Sequence, residues 1–274
     1  MKANHRNVEP VRTVAPYIGG KRNLAARLVP ILAKIPHQIY AEPFVGMGGI
    51  FFKRTTAARH EVVNDASRDV ATLFRILQRH YPQFLETLKF QITSRAEFER
   101  LTRAVPDTLT DLERAARFLY LQRTTFGGKV AGRAFGVATN GGARFDTTKL
   151  GPTLEAIHER LAGVVIECLP WAEFIDRYDR PETLFYLDPP YYGSETDYGR
   201  ELFGRDQFEP MAERLAGIKG RFVLSINDVP ETRRIFARFE ISRVKTTYSI
   251  SGHAGGTGRQ GAAAELIVTG GSRS

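Results

Sequence analysis

A chain of 274 residues with 42% hydrophobic and 25% charged side chains can bury a real core, which excludes global disorder. Its 39 Lys and Arg against 30 Asp and Glu leave a net charge of +9, which favours a polyanionic partner, nucleic acid before a membrane surface. A single cysteine excludes an internal disulfide framework, and there is no 18-residue apolar run and no apolar signal segment behind Lys2, Arg6 and Arg12. The expectation is a cytoplasmic protein in a reducing compartment, without a membrane span.

Residues 1 to about 14 read as a polar tail. Pro16-Tyr17-Ile18-Gly19-Gly20-Lys21 follows, and its two glycines permit a tight turn. Leu24, Leu28, Ile31 and Leu32 at helical spacing predict a helix from near Lys21. Backbone N–H groups and an ammonium at a helix start suit a carboxylate or a phosphate, although the same residues also make a plain turn. Gln38 to Glu42 reads as a strand, and Pro43-Phe44-Val45-Gly46-Met47-Gly48-Gly49 as a loop whose glycines let backbone approach a ligand. Ile50-Phe51-Phe52 then looks like the start of a helix. The full G-x-G-x-x-G dinucleotide fingerprint is absent. Glu61-Val62-Val63-Asn64-Asp65 is a second short strand ending in an acid. Asp65 there can accept ribose hydroxyls or cap the helix expected from Ala66, and both roles can hold together.

From residue 75 to 162 the α/β alternation stops. Leu112 to Leu121 is a clear helix, and a glycine-rich stretch runs from Gln122 to Val137, with Asn140-Gly141 as a hairpin turn. Arg114, Arg117, Arg123, Lys129, Arg133, Arg144 and Lys149 fall here, opposed by Asp146. Basic residues interleaved with Phe126 and Phe135 fit a surface that touches phosphates and inserts beside bases. Residues 75–162 therefore read as an inserted second domain between 1–74 and 163–274. Alternation then returns. Val164 to Leu169 is a strand holding Cys168 as a small core residue, Trp171 to Tyr178 a helix, and Thr183 to Leu187 a buried strand ended by Asp188-Pro189-Pro190-Tyr191. An acid at the carboxyl end of a buried strand, rigid carbonyls and an aromatic face suit a flat, amine-bearing ring. Residues 193–205 are expected to be a mobile loop over the site, Asp206 to cap a helix through Ile218, and Arg221 to Asp228, Ile241 to Ser249 and Glu265 to Thr269 to complete the sheet. No His, Cys, Asp or Glu cluster has zinc spacing, so no metal is expected.

Taken in order, Pro-Tyr-x-Gly-Gly-Lys, Glu-Pro-Phe-Val-Gly-x-Gly, Asn-Asp, a basic insert and Asp-Pro-Pro-Tyr resemble the Dam-like family of DNA adenine-N6 methyltransferases, D12 class, alpha group. The resemblance runs from about Val14 to Thr269. It implies an α/β, Rossmann-like S-adenosylmethionine-dependent domain carrying an inserted, mainly helical target-recognition domain, with double-stranded DNA as partner. By likeness of motif, Tyr17 and Lys21 would touch the cofactor, Lys21 near its carboxylate. The loop with Glu42, Pro43, Phe44, Gly46 and Gly48 would wrap the methionine part. Asp65 would hold the ribose, Asn64 beside it would belong to the cofactor site, and Asp188 would lie between cofactor and base. Arg123, Phe126, Gly127, Lys129, Arg133, Asn140, Ser251 and Arg259 are the expected DNA contacts, and Ser225 to Asp228 and Tyr248 to Ser251 resemble later motifs that shape the base pocket. Where GATC-methylating members carry a Tyr-Asn-Gly-type stretch, this chain has Phe126-Gly127-Gly128-Lys129, so GATC is not carried over.

The chemistry follows separately. The adenine amino lone pair is delocalised into the ring. Accepting its N–H hydrogens on the Asp188 carboxylate and the Pro189 carbonyl, with Pro190 stiffening the turn and Tyr191 stacking on the base, frees that lone pair for attack on a methyl sulfonium. No covalent intermediate is needed, and hence no catalytic cysteine. Cytosine N4, adenine in RNA and a catalytically silent DNA-binding role remain compatible with the same motif.

Overall fold

The computed structural model describes residues 5–17, 20–21, 24–136, 142–195, 203–247 and 262–271. A sheet is built from β2 (Ile39–Glu42), β4 (His60–Asn64), β5 (Val165–Glu167), β6 (Thr183–Leu187), β7 (Arg221–Asn227), β8 (Glu240–Thr247) and β9 (Ala262–Gly271), in the order β5-β4-β2-β6-β7-β9-β8. Its first five members run parallel, and β9 lies antiparallel between β7 and β8. The chain begins at β2, steps outward to β4 and β5, then returns to β6 on the other side of β2. That reversal is the switch point of a doubly wound, Rossmann-like sheet, the place where such sheets open a crevice beyond their carboxyl ends. Glu42 closes β2 and Asp188 follows β6, so the two acids flank this switch point.

Parallel strands covered on both faces read as continuous apolar runs. The Thr-Leu-Phe-Tyr-Leu of β6 is accordingly buried at every position. Leu184 and Tyr186 face one hydrophobic cluster while Phe185 and Leu187 face the other. The second cluster is covered by α7 (Trp171–Tyr178), α8 (Phe208–Ala216) and α9 (Pro230–Ile235). Over the first lie α1 (Ala25–Lys34), α2 (Arg68–Arg79), α3 (Tyr81–Leu88), α4 (Arg95–Arg103), α5 (Asp111–Thr124) and α6 (Thr147–Leu161). The helices of residues 75–162 share that cluster with the sheet, and α2, which lies against α5 and α6, runs continuously across the position near residue 74 where the sequence suggested a boundary. α5 starts in a full capping box between Thr110 and Glu113. No helix among the described residues is long and apolar enough to cross a membrane.

Several local expectations are corrected. The described part of the N-terminal segment is not a tail: β1 (Arg6–Asn7) pairs with β3 (Thr56–Ala57), and Val11 and Val14 are buried. Two apolar side chains dock the segment, and the Val8 and Val11 amides donate to the Thr55 and Phe52 carbonyls. Residues after Ile50 form only a 3-10 turn, Phe51–Lys53, because Phe51 and Phe52 both plunge into the core and Arg54 resumes extended backbone. α2 begins after Ser67, so Asp65 is not its cap. Asp206 lies inside a 3-10 turn, Arg205–Gln207, ahead of α8. Cys168 is exposed rather than buried, since β5 is a three-residue edge strand that ends before it.

Candidate active site

Asp188 directly follows β6, and the turn behind it is clamped from β7. The Asn227 Oδ1 accepts from the Tyr192 amide at 2.9 Å while its Nδ2 donates to the Tyr192 carbonyl at 3.0 Å. The Ser225 hydroxyl donates to Asp188 Oδ1 at 3.3 Å and is itself paired with the Tyr186 hydroxyl at 2.9 Å. Lys21, whose side chain is 2% exposed, places Nζ 2.7 Å from Asp188 Oδ1 and 3.9 Å from Glu265 Oε2. The same ammonium donates to the Tyr191 hydroxyl at 3.0 Å. Tyr191 in turn hydrogen-bonds Glu265. Two carboxylates thus share one buried cation, and the nearest anion to Lys21 is Asp188.

Burial pushes the Asp188 and Glu265 carboxyls up, and the Lys21 ammonium pulls both back. Burial and then the neighbouring Glu265 and Asp188 charges hold the Tyr191 hydroxyl far above its ordinary range. Glu42 is fully buried, and the Tyr40 hydroxyl donates to its Oε2 at 2.8 Å. Burial pushes its carboxyl well above the usual carboxylate range, and Asp188 adds to the effect.

A cavity of about 600 Å³ opens beside these groups, within the span of small-molecule sites. Tyr17, Phe44, Phe203 and Pro190 give it aromatic and apolar walls, and Lys21, Glu42, Gly46, Asp65, Arg123 and Asp188 also line it. Phe203 stands edge-on to Phe44 with ring centres 5.6 Å apart. Gly46 has φ +49°, and a Cβ there would sit 3.0 Å from the Tyr17 ring, so only glycine lets the ring lie on this loop. The Gly46 amide donates to Asp65 Oδ2 at 2.9 Å and the Ser67 amide to Oδ1 at 2.8 Å. Burial carries the Asp65 carboxyl up to about 6 against the pull of these two bonds.

Other expected cofactor residues stand one layer behind. Asn64 donates to the Pro43 and Leu169 carbonyls and accepts from the Leu169 amide, which uses its amide to brace the loop against the strand after it. A Cβ on Gly48, at φ +70°, would meet the Phe52 ring at 2.3 Å, so this glycine serves the packing of the 3-10 turn.

The expected DNA contacts separate into three groups. Phe126, Gly127 and Lys129 are exposed, on a loop closed by the Thr125–Phe135 bridge. Arg123 and Arg133 are half-buried: Arg123 donates to the Val14 and Arg144 carbonyls, and the Arg133 guanidinium lies 5.8 Å from the centre of the Phe118 ring. Asn140, Ser251 and Arg259 lie outside the described residues, as does the Tyr248 to Ser251 stretch. The basic texture of the insert also overstates its surface. Arg114 is buried against Asp69 and Asp107, at 2.6 and 2.7 Å, and Arg117 donates to the Leu101 carbonyl. Both point inward from α5, where carboxylates and a carbonyl replace their water.

Sequence reasoning missed Glu265 as a site residue. Its signal was an acid opening an otherwise apolar strand. Its meaning needs the β7–β9 register, which sets it opposite Asn227. Phe203, from the segment expected to lie over the site, does line the cavity, whereas Gln122, which braces Pro16 behind the wall, was not marked.

An acid just past the end of β6, with a second acid at the end of the neighbouring β2 lining the same cavity, stands at the switch point where doubly wound sheets take their ligands. Residues 17–250 match the family model of the D12 class N6 adenine-specific DNA methyltransferases, and the chain belongs to that family. It is similar to the Type II methyltransferase M1.LlaDCHI of Lactococcus lactis subsp. cremoris, at 24% identity over 98% of this chain and 99% of that protein. It is also similar to the Type II methyltransferase M.CviBI of Paramecium bursaria Chlorella virus NC1A, at 20% identity over 94% of this chain and 99% of that protein. A solved precorrin 8w decarboxylase from Methanobacterium thermoautotrophicum aligns over 90% of this chain and 89% of its own, with a TM-score of 0.38 and 9% identity, too distant to carry an argument.

Proposed function

We propose that the protein is a site-specific enzyme that methylates the N6 amino group of an adenine flipped out of duplex DNA, with S-adenosylmethionine as donor. The observation that carries this reading is the Asp188 carboxylate, held at the end of β6 by Ser225 and Lys21 and lining a cavity of about 600 Å³. The residues present fit that donor. The Tyr17 and Phe44 rings suit its adenine, the Asp65 carboxylate suits ribose hydroxyls, and the acids Glu42 and Asp188 suit a cationic sulfonium. When bound, the donor supplies an electrophilic methyl group.

The chain's own residues do the rest. Asp188 and the Pro189 carbonyl accept the two hydrogens of the target amine, which turns its lone pair outward. Tyr191, its hydroxyl tied to Lys21 and Glu265, offers the base an aromatic face to stack on at a fixed angle. Positioning of this kind can lower a barrier by roughly 7–11 kcal/mol. Extruding the base costs a few kcal/mol, and the exposed loop with Phe126, Gly127 and Lys129, within a recognition unit of residues 75–162, offsets that cost through phosphate and base contacts.

Duplex DNA treated with the protein and S-adenosylmethionine, then digested to nucleosides, is expected to yield N6-methyladenine. N4-methylcytosine alone, or product from RNA only, overturns the substrate. Methylation undiminished in Asp188→Ala overturns the catalytic assignment.

A further inference from the structure

α5 runs directly into the loop assigned above to DNA, and its last turn carries Gln122. This side chain is fully buried, at 0% exposure. Its Nε2 donates to the Pro16 carbonyl at 2.9 Å and to the Gly128 carbonyl at 2.6 Å. One –NH2 group thereby joins two segments far apart in the chain: Pro16 precedes Tyr17 of the cavity wall, and Gly128 belongs to the exposed loop. The two segments also touch directly. Gly128 has φ +69°, and a Cβ there would stand 3.0 Å from the Pro16 carbonyl carbon and 3.1 Å from the Tyr17 nitrogen. Arg123 adds a parallel tie from its Nη1 to the Val14 carbonyl at 2.7 Å. Tyr17 then lies on Gly46, whose amide holds Asp65.

Gln122 Oε1 is buried and has no partner among the described residues. A buried amide oxygen without a partner is destabilising, because it gives up its water for nothing. A hydrophobic residue of similar size would fill the same space without that cost, so the position is best explained by the paired donors. A run of contacts leads from Gly128 to Pro16 and Tyr17, from the Tyr17 ring to Gly46 and from the Gly46 amide to Asp65, and the Gln122 amide pins its Gly128–Pro16 joint.

We propose that Gln122 is a positioning residue that couples the DNA-reading loop to the cofactor cavity, so that DNA and cofactor each raise the other's affinity. The inference rests on the function proposed above. DNA that holds the loop fixes Pro16 and Tyr17, and a fixed Tyr17 wall binds the cofactor more tightly. Linkage requires the effect to be the same in both directions.

The test uses the full chain and S-adenosylhomocysteine as probe, titrated by calorimetry with and without a short duplex carrying the sequence the protein methylates. In the wild type, DNA is expected to tighten probe binding by about 5-fold or more, the lower end of measured couplings. Gln122→Met keeps the volume and removes both donors, and the ratio is expected to fall to about one. Gly128→Ala disturbs the same joint from the loop side, by a Cβ set against Pro16 and Tyr17, while leaving the Gln122 side chain itself unchanged, and the ratio is expected to fall there too. This second variant carries the test if Gln122→Met fails to fold. A wild-type ratio of one overturns the proposal, as does a wild-type ratio preserved in either folded variant or a uniform loss of both affinities at constant ratio. Failure of the wild type to bind the probe at all is a different result: it sinks the cofactor assignment itself.

Discussion

Asp188→Asn isolates the charge of one carboxylate while keeping its size. In the native site that charge meets Lys21 Nζ at 2.7 Å and the Ser225 hydroxyl at 3.3 Å, and in the reaction it would meet the amine of the target base. A hydrogen bond to a charged group is worth about 1.5–3 kcal/mol. At 1.36 kcal/mol per decade that is a loss of roughly 10- to 150-fold in rate. The asparagine amide also brings an –NH2 group that can face the amine donor to donor, so the figure is a lower bound. The fold is expected to persist, because Lys21 keeps Glu265 at 3.9 Å and Tyr191 at 3.0 Å. The assay is a single-turnover measurement of methyl transfer to duplex DNA, beside calorimetric binding of S-adenosylhomocysteine and a thermal melt. A wild-type transfer rate in a variant that binds the probe and melts normally refutes the role assigned to Asp188.

Three more outcomes follow from the geometry. The Asp65 carboxyl, carried up to about 6 by burial, accepts hydroxyl hydrogen bonds more strongly, and on both oxygens, when ionised. Ligand binding then lowers its pKa, so affinity for S-adenosylhomocysteine should be full above pH 6 and fall as pH drops through it, with that pH dependence absent in Asp65→Asn; a flat wild-type profile contradicts the ribose role. The sign for folding is the reverse. A carboxyl raised in the native state destabilises when ionised, so Asp65 penalises the free protein above about pH 6 and the penalty fades as pH falls towards 3.8. Glu61 is buried between Arg54 and Arg160, the latter at 2.6 Å. Glu61→Gln strands two buried guanidinium groups and should cost about 3–5 kcal/mol, read as a fall of roughly 10 °C in melting temperature with transfer per folded molecule preserved. Exposed Lys129, changed to alanine, should lower the salt dependence of DNA binding by about one counterion and leave probe affinity in the absence of DNA unchanged; an unaltered salt slope places the loop off the DNA.

Much of the switch point was legible because its signals are short-ranged. Two prolines end β6 whatever surrounds them, the apolar runs of β2, β4, β6 and β7 mark buried parallel strands, and the positive φ of Gly46 needs glycine locally. The order of these pieces along the chain was enough to place Lys21, Glu42, Asp65 and Asp188 among one cavity's residues, which the structure then lines up. What the sequence left open depends on partners distant in the chain. Arg114 and Arg117 read as solvent-facing charge until α2 and α4 supply a carboxylate and a carbonyl. Val11 and Val14 look like tail residues until Phe52 and Thr55 offer them a surface. Cys168 looks like core until β5 turns out to be a short edge. Glu265 acquires meaning only when β9 inserts beside β7 and brings it to Lys21. By itself the sequence determined where β2 and β6 stop and which chemical groups stand at their ends. Tertiary structure decided which charges lose their water, because desolvation is set by the whole packing around a group and not by its neighbours in the chain.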